Sequence, residues 1–401
     1  MPDVNTHILK WARENAELTL EEASAKLAIK SSGSASAAEK LKAYESGDQP
    51  PSRALLLEMA KRYRRPLITF YLAEPPRKGD RGEDFRTLKS GYHAAENVLV
   101  NALIRNIKSR QATIRSALID EDEADPIPFV GGSNGNESVS SLAQSVRKAI
   151  GFNLSEFRDS SKPEEAFALL RGKVEAARVF VLLVGDLGSH HSTINTTLFR
   201  GFVLSDDIAP FIVINDQNSK AAWSFTLLHE LVHLWLGRTG LSGGYSERGI
   251  EKFCNDVASE ILLPKEEILN FSILEEDFTQ RAAKLSDFAA LRNLSSSLVA
   301  YRLYRIGTIS KGDWQKFDGY FADLRRTTKL REQERNRKKE SGPSYFIVRR
   351  YKLGNALVSL VERLTRSGTL TATKAALVLG VKPLKVHKLF GSRDINGAMS
   401  N

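Results

Sequence analysis

Cysteine is almost missing from this chain: one residue, Cys254, in 401. That excludes an intrachain disulfide and fits a reducing compartment. Long apolar runs are missing too. The strongest, from Val179 to Val184, has the length of a strand and not of a bilayer-spanning helix. The N-terminus carries no apolar stretch of the signal-peptide kind. Together these absences predict a cytoplasmic protein with no membrane partner. Acidic residues are in deficit, with 58 Lys and Arg against 48 Asp and Glu and a net charge of +10. The excess tilts the chain towards nucleic acid or an acidic partner. What is plentiful is apolar material, 42% of the residues, enough for real cores in a chain whose length suggests about two to four domains.

Histidine is also scarce, seven in all, which makes the placement of two of them informative. His229-Glu230-Leu231-Val232-His233 lies inside a stretch from Ser224 to Leu236 that reads as one helix. Residues four apart share a helix face, so both imidazoles can hold a single metal ion, with Glu230 placed as base for a water beside it. The alternative is a solvated helix face that carries His-Glu-His by accident. Leu227, Leu228, Leu231, Val232, Leu234, Trp235 and Leu236 argue against it, because they make the helix apolar on nearly every other side and predict its burial. Buried His, Glu and His need a partner, and a zinc ion supplies one.

A catalytic zinc takes a third protein ligand and keeps one position for water. The chain breaks at Gly237, Gly240, Gly243 and Gly244, and a second helical pattern runs from about Arg248 to Leu263, stopped by Pro264. Glu247, Glu251 and Glu260 compete for the position. Glu251 and Glu260 face opposite ways at helical spacing, and Glu247 falls before the helix is established. Glu251 shares its face with Cys254, Asn255 and Ala258, small groups that permit close approach of another helix, so Glu251 is the predicted ligand. Asn255 lies one turn on and is placed either to hydrogen-bond a ligand imidazole or to serve helix packing. Cys254 reads as a small core residue, and His190 and His191 as loop residues.

Along the chain, residues 5–75 form a run of short helices. The second is capped by Thr19 with Glu22 at the capping-box position, and a third spans Ala35 to Glu45. Leu20, Ala23 and Leu27 turn inward in a helix-turn-helix pattern. Its loop and third helix offer Lys30, Ser32, Ser34, Ser36, Lys40 and Lys42 to DNA; the alternative is a small helical domain that docks a protein. A long amphipathic helix follows from Ala95 to Ile119, then an acidic patch and a Gly-Ser-Asn segment, Gly131 to Ser141, read as a linker. Helices at Ser141 to Ile150 and Pro163 to Ala177 precede three strands, Val179 to Val184, Phe199 to Leu204 and Pro210 to Asn215. After Pro264 the chain is helical again, with helix-turn-helix-like patterns at Phe288 to Ile306 and Thr371 to Leu389 and a basic run from Arg325 to Glu340. The predicted class is α+β, mostly helical. The predicted domains are a helix-turn-helix bundle (1–75), a helical region and linker (76–165), a central metallopeptidase domain (166–275) and C-terminal helical modules (276–401).

Several segments resemble the ImmA/IrrE family of metallopeptidases: Phe199-Arg200-Gly201-Phe202, Ile212-Val213-Ile214-Asn215, the stretch Phe225 to Gly237 around the histidines, and the stretch Glu251 to Pro264. The N-terminal unit resembles the Xre-type helix-turn-helix often fused to that family, although its loop is longer than usual. Asp84 to Leu88 and Gly380-Val381-Lys382 resemble the family's long, fused branch. The resemblance implies a zincin-like fold with His229, His233 and Glu251 as zinc ligands and Glu230 as the catalytic Glu. It also implies a bacterial, phage or mobile-element setting, in which members cleave a repressor-like regulator or act as antitoxins beside a toxin.

The expectation is therefore a zinc-dependent regulatory endopeptidase that cuts a partner regulatory protein, tethered to DNA or a partner by its N-terminal unit. The rival expectation is a non-cleaving repressor or antitoxin that uses the same domain to bind a partner, such as a cognate toxin, or to sense metal.

Overall fold

A computed structural model of the chain describes residues 4–31, 35–75, 94–188, 192–238, 240–241, 248–269, 271–273, 277–337 and 343–390. The chain divides into two units, 1–105 and 106–401.

The first unit is built from short capped helices. Asn5 opens α1 (Thr6–Asn15) by accepting from the His7 amide at 3.1 Å. Thr19 and Glu22 form the expected capping box at α2 (Leu20–Lys26). Ser36 and Glu39 form a second one, which starts α3 at Ala37 and not at Ala35 (Ala37–Ser46). The capping geometry sets that start, because the Ser36 side chain takes the Glu39 amide while the Ser36 amide donates to the Glu39 carboxylate at 2.7 Å. Ser52 caps α4 (Arg53–Arg62), and a 3-10 turn at Leu67–Tyr71 follows. Ile8, Leu9, Ala12, Ala23, Leu41, Leu56, Met59 and Phe70 make a core of their own. The Arg13 guanidinium grips the Glu45 carboxylate with Nε at 2.7 Å and Nη2 at 2.9 Å, fastening α1 to α3.

The second unit is α+β and mostly helical. The helix α5 (Ala94–Asp120) belongs to it from Asn106 on. There Gln111 donates to the carbonyls of Leu204 and Ala209, both at 2.9 Å. Next come α6 (Val139–Ile150), α7 (Leu154–Arg158), which is too short to show a helical period in the sequence, and α8 (Pro163–Ala176). Strands β1 (Phe180–Leu183), β2 (Gly201–Leu204) and β3 (Phe211–Ile214) are buried throughout, which is why they read as unbroken apolar runs. Together with the short β4 (Gly240–Leu241) they make one sheet in the order β1-β3-β2-β4. β1 pairs parallel to β3, while β2 pairs antiparallel to both β3 and β4.

Helix α9 (Lys220–Trp235) lies on this sheet, and α10 (Arg248–Leu262) packs beside it. The stretch from Gly131, which reads as a linker, is hydrogen-bonded to the end of α9. The amides of Gly131 and Ser133 donate to the carbonyls of Leu234 at 3.1 Å and Trp235 at 3.0 Å, and Phe129 stacks on Trp235 at 4.3 Å. The Leu234 carbonyl also takes the Gly237 amide at 2.9 Å, so the segment gives it a second donor and adds one at Trp235, fastening the end of the helix.

Beyond α11 (Lys265–Ile268) come α12 (Phe278–Ala290), α13 (Ser296–Arg305) and the long α14 (Lys311–Arg337). The chain continues through α15 (Tyr345–Leu353), α16 (Asn355–Arg366), α17 (Ala372–Leu379) and a 3-10 turn at Pro383–Leu389. The pair α15 and α16 is held by two buried residues of α8. Arg171 donates to the carbonyls of Val181 and Tyr351, while Glu175 takes the Ala356 amide at 3.1 Å. Among the described residues no helix is long and apolar enough to cross a membrane.

Candidate metal centre

Helix α9 is buried from Trp223 nearly to its end, including His229, Glu230 and His233. His229 is 6% exposed, Glu230 1% and His233 7%. The four-residue spacing brings the Nε2 atoms of His229 and His233 to 3.1 Å from each other. From α10, the Glu251 carboxylate reaches the same point, with Oε1 3.1 Å from His233 Nε2 and Oε2 3.4 Å from His229 Nε2. Two nitrogens bound to one tetrahedral zinc stand about 3.3 Å apart. The spacing of this donor set therefore fits a single divalent cation.

Its electrostatics fit as well. Burial is the main reason that the His233 imidazole titrates below its usual range, so it stays neutral, the form that binds a metal. For Glu251, burial acts upward, but hydrogen bonds from His229 and His233 outweigh it and bring the carboxyl down to about 2. Two imidazoles and one carboxylate carry a single negative charge, which a divalent cation more than neutralises.

The other candidates separate from this point. Glu260 faces α13, where Arg302 pairs with its Oε2. Glu247, His190 and His191 lie outside the described residues. Asn255 is half-buried, one turn beyond Glu251, and among the described residues its side chain makes no hydrogen bond to an imidazole. Cys254 is fully buried. Desolvation, reinforced by the charges of Glu251 and Glu230, pushes its thiol well above the usual range, so it is an inert core residue.

Two features of the site were not read from the sequence. The first is Gly201 on β2. A Cβ there would stand 2.6 Å from Thr226 Cγ2 and 2.8 Å from Glu230 Oε1, so the glycine leaves the room that the Glu230 side chain fills. The Phe-Arg-Gly-Phe segment held this residue, but only the packing of α9 on β2 shows its purpose. The second is the anchoring of α10. Asp256 accepts from Arg305 Nε at 2.6 Å and from the Tyr301 hydroxyl at 2.8 Å. At the helix end Arg147 donates to the carbonyls of Glu260 at 2.8 Å and Ile261 at 2.7 Å, Arg158 to that of Leu262, and Arg302 to that of Leu263 at 3.0 Å. Guanidiniums at a helix C-terminus satisfy its orphan carbonyls and oppose its dipole. They fasten the far end of the helix that carries Glu251.

The residues predicted to meet DNA are more divided. Ser36 is engaged as a cap, and the Lys40 ammonium donates to the Lys30 carbonyl at 2.7 Å. Lys30 and Lys42 are exposed, while Ser32 and Ser34 lie outside the described residues.

Residues 186–304 match a family model described as an IrrE N-terminal-like domain, Peptidase_M78. No curated protein and no solved structure matches the chain. The matched family implies a zincin-like domain and a bound metal. The matched span contains β2, β3, α9 and α10, and so the whole donor set.

Proposed function

We propose, from the match of residues 186–304 to the IrrE N-terminal-like peptidase model, that this chain is a member of the ImmA/IrrE family of metallopeptidases and a zinc-dependent regulatory endopeptidase of a bacterial or mobile-element system, working in the cytoplasm on a partner regulatory protein. The observation that carries this reading is the convergence of His229, His233 and Glu251 on one point, with the buried Glu230 carboxyl beside His229 on the same helix. His229, His233 and Glu251 would hold a zinc ion, which when bound would supply Lewis-acid chemistry to the scissile carbonyl and to a water. His229 and His233 orient their Nε2 atoms, and Glu251 adds the charge that a dication needs. Glu230 accepts the proton of the attacking water at its carboxylate and returns it to the leaving amine. Its burial keeps bulk water away from that transfer, and Gly201 leaves it space. The first unit is the module that finds DNA or a partner, through Lys30, Ser32, Ser34, Ser36, Lys40 and Lys42.

Glu230→Gln tests this reading, because it keeps the size of the side chain and removes the base. The variant should fold and hold zinc as well as the unaltered protein. A regulator encoded beside the gene and co-expressed with it should be cut by the unaltered protein and left intact by the variant, since loss of a positioned base costs roughly a hundredfold to ten-thousandfold in rate. A regulatory effect that persists in Glu230→Gln, with no cleavage product in either strain, sinks the peptidase. It establishes instead a non-cleaving repressor or antitoxin that holds its partner, such as a toxin, through this domain.

A further inference from the structure

Away from the metal centre, two guanidiniums meet around the end of α17. Arg110 projects from α5, and Arg349 from α15. Both Nη2 atoms face one point beside the Gly380 α-carbon. A Cβ on Gly380 would lie 3.1 Å from that of Arg110 and would collide with that of Arg349. Gly380 closes α17 in the left-handed region, with φ +63°, so it is the residue that lets both arginines approach.

The helix end accounts for one of them. Arg349 donates to the Leu379 carbonyl from Nε at 3.0 Å and from Nη2 at 2.8 Å, as a cation at a helix C-terminus does. It does not account for Arg110. That side chain is 7% exposed, and its Nε and Nη1 are sealed from solvent with no acceptor among the described residues. No ion pair joins either arginine to a carboxylate among the described residues. Asp186, whose charge Arg349 feels, pairs with Lys352 at 3.7 Å. Burial, and then the charge of Arg349, bring Arg110 down to about 9, which leaves it cationic at neutral pH; burial lowers Arg349 as well. Two like charges in one low-dielectric spot repel, and a buried guanidinium without an acceptor forfeits its hydration. The position of Arg110 is nevertheless secured from outside: the next residue, Gln111, is bonded to Leu204 and Ala209, and one turn on Arg115 pairs with Asp206 at 3.0 Å.

We infer that Arg110 and Arg349 form an anion-binding site for a small phosphate-bearing ligand, seated against Gly380. A phosphate dianion neutralises both guanidiniums, and its several oxygens suit donors that approach from two directions. Lys382, Lys385 and Lys388, exposed on the segment that follows Gly380, add positive field to this part of the chain. The site uses no residue of the proposed peptidase centre.

The test is calorimetric titration of the full chain, stripped of metal so that phosphate has no ion to bind, with inorganic phosphate and separately with adenosine monophosphate. Potassium chloride at equal ionic strength is the control. Saturable binding of phosphate is expected, at least about tenfold weaker in Arg110→Met and intermediate in Arg110→Lys, which keeps the charge and loses the fork. Tighter binding of adenosine monophosphate than of phosphate assigns the site to a phosphate monoester, and equal or weaker binding to the free ion. Absence of saturable binding in the unaltered chain overturns the site, whatever the variants do. So does binding that Arg110→Met and Arg110→Lys leave unchanged. Should Arg110→Met not fold, the Arg110→Lys comparison decides alone.

Discussion

β2 begins with a glycine, and the Glu230 side chain fills the place where a Cβ of that residue would stand. Adding a single methyl group at Gly201 brings it to 2.8 Å from Glu230 Oε1 and 2.6 Å from Thr226 Cγ2. Thr226 Cγ2 sits on a short β-branched side chain and cannot swing away, and Glu230 is buried, so overpacking of this kind costs about 1–3 kcal/mol. Gly201→Ala should lower the thermal midpoint and should slow peptide cleavage by displacing Glu230, while zinc content stays near that of the unaltered protein; an unchanged midpoint and rate would show that the site has slack. The metal donors give a second prediction. Glu251→Ala removes the carboxylate that meets both imidazoles, whereas Glu260→Ala removes the partner of Arg302. Elemental analysis of the purified variants should find zinc strongly reduced in Glu251→Ala and His229→Ala and kept in Glu260→Ala. The opposite pattern for the two Glu variants would assign the third ligand to Glu260.

At the scale of elements, the helix that carries Glu251 depends on arginines from elsewhere in the fold. Arg302, 4% exposed, bridges the Glu260 carboxylate and the Leu263 carbonyl, the latter at 3.0 Å. Removing one partner of a buried pair leaves the other charge uncompensated. Arg302→Met, which preserves most of the bulk, should cost about 2–4 kcal/mol in denaturant unfolding. Arg147 and Arg158 still cap α10 in that variant, so the helix should persist and the loss should appear as an earlier midpoint with the zinc stoichiometry retained. A midpoint within error of the unaltered protein would mean that the arginine cluster is redundant.

At the scale of the molecule, the first unit has its own core, centred on Ile8, Leu9, Leu41, Met59 and Phe70, and its own α1–α3 ion pair. The metal donors all lie in the second unit. Deleting residues 1–75 should therefore leave zinc content unchanged. It should also abolish binding to the gene's own promoter region, measured by fluorescence anisotropy, and the affinity of the full chain should fall steeply with salt as phosphate contacts are lost. Lack of any DNA binding by the full chain at low salt would make the first unit a protein-docking domain. Equal binding with and without residues 1–75 would move the DNA contacts to the second unit.

Much of this molecule was legible before folding. Helical spacing alone put His229 and His233 on one face, and the apolar flanks predicted the burial that they show. The half-turn phase difference between Glu251 and Glu260 already sent them to different neighbours, and the buried strands announced themselves as apolar runs because both their faces are covered. These are local properties, decided within a few residues by periodicity and capping. What the sequence could not supply is whatever depends on residues far apart in the chain. Gly201 has meaning only because α9 crosses β2 there. The Gly131 stretch looks like a linker by composition and becomes a cap because the end of α9 lies beside it. Asp256, Glu260 and the α10 carbonyls choose their arginines from α6, α7 and α13. Arg110 and Arg349, 239 positions apart by number, share one spot only after α5, α15 and α17 have packed. A long side chain is nearly silent in a sequence pattern, since its reach spans many neighbours and tertiary packing alone selects among them.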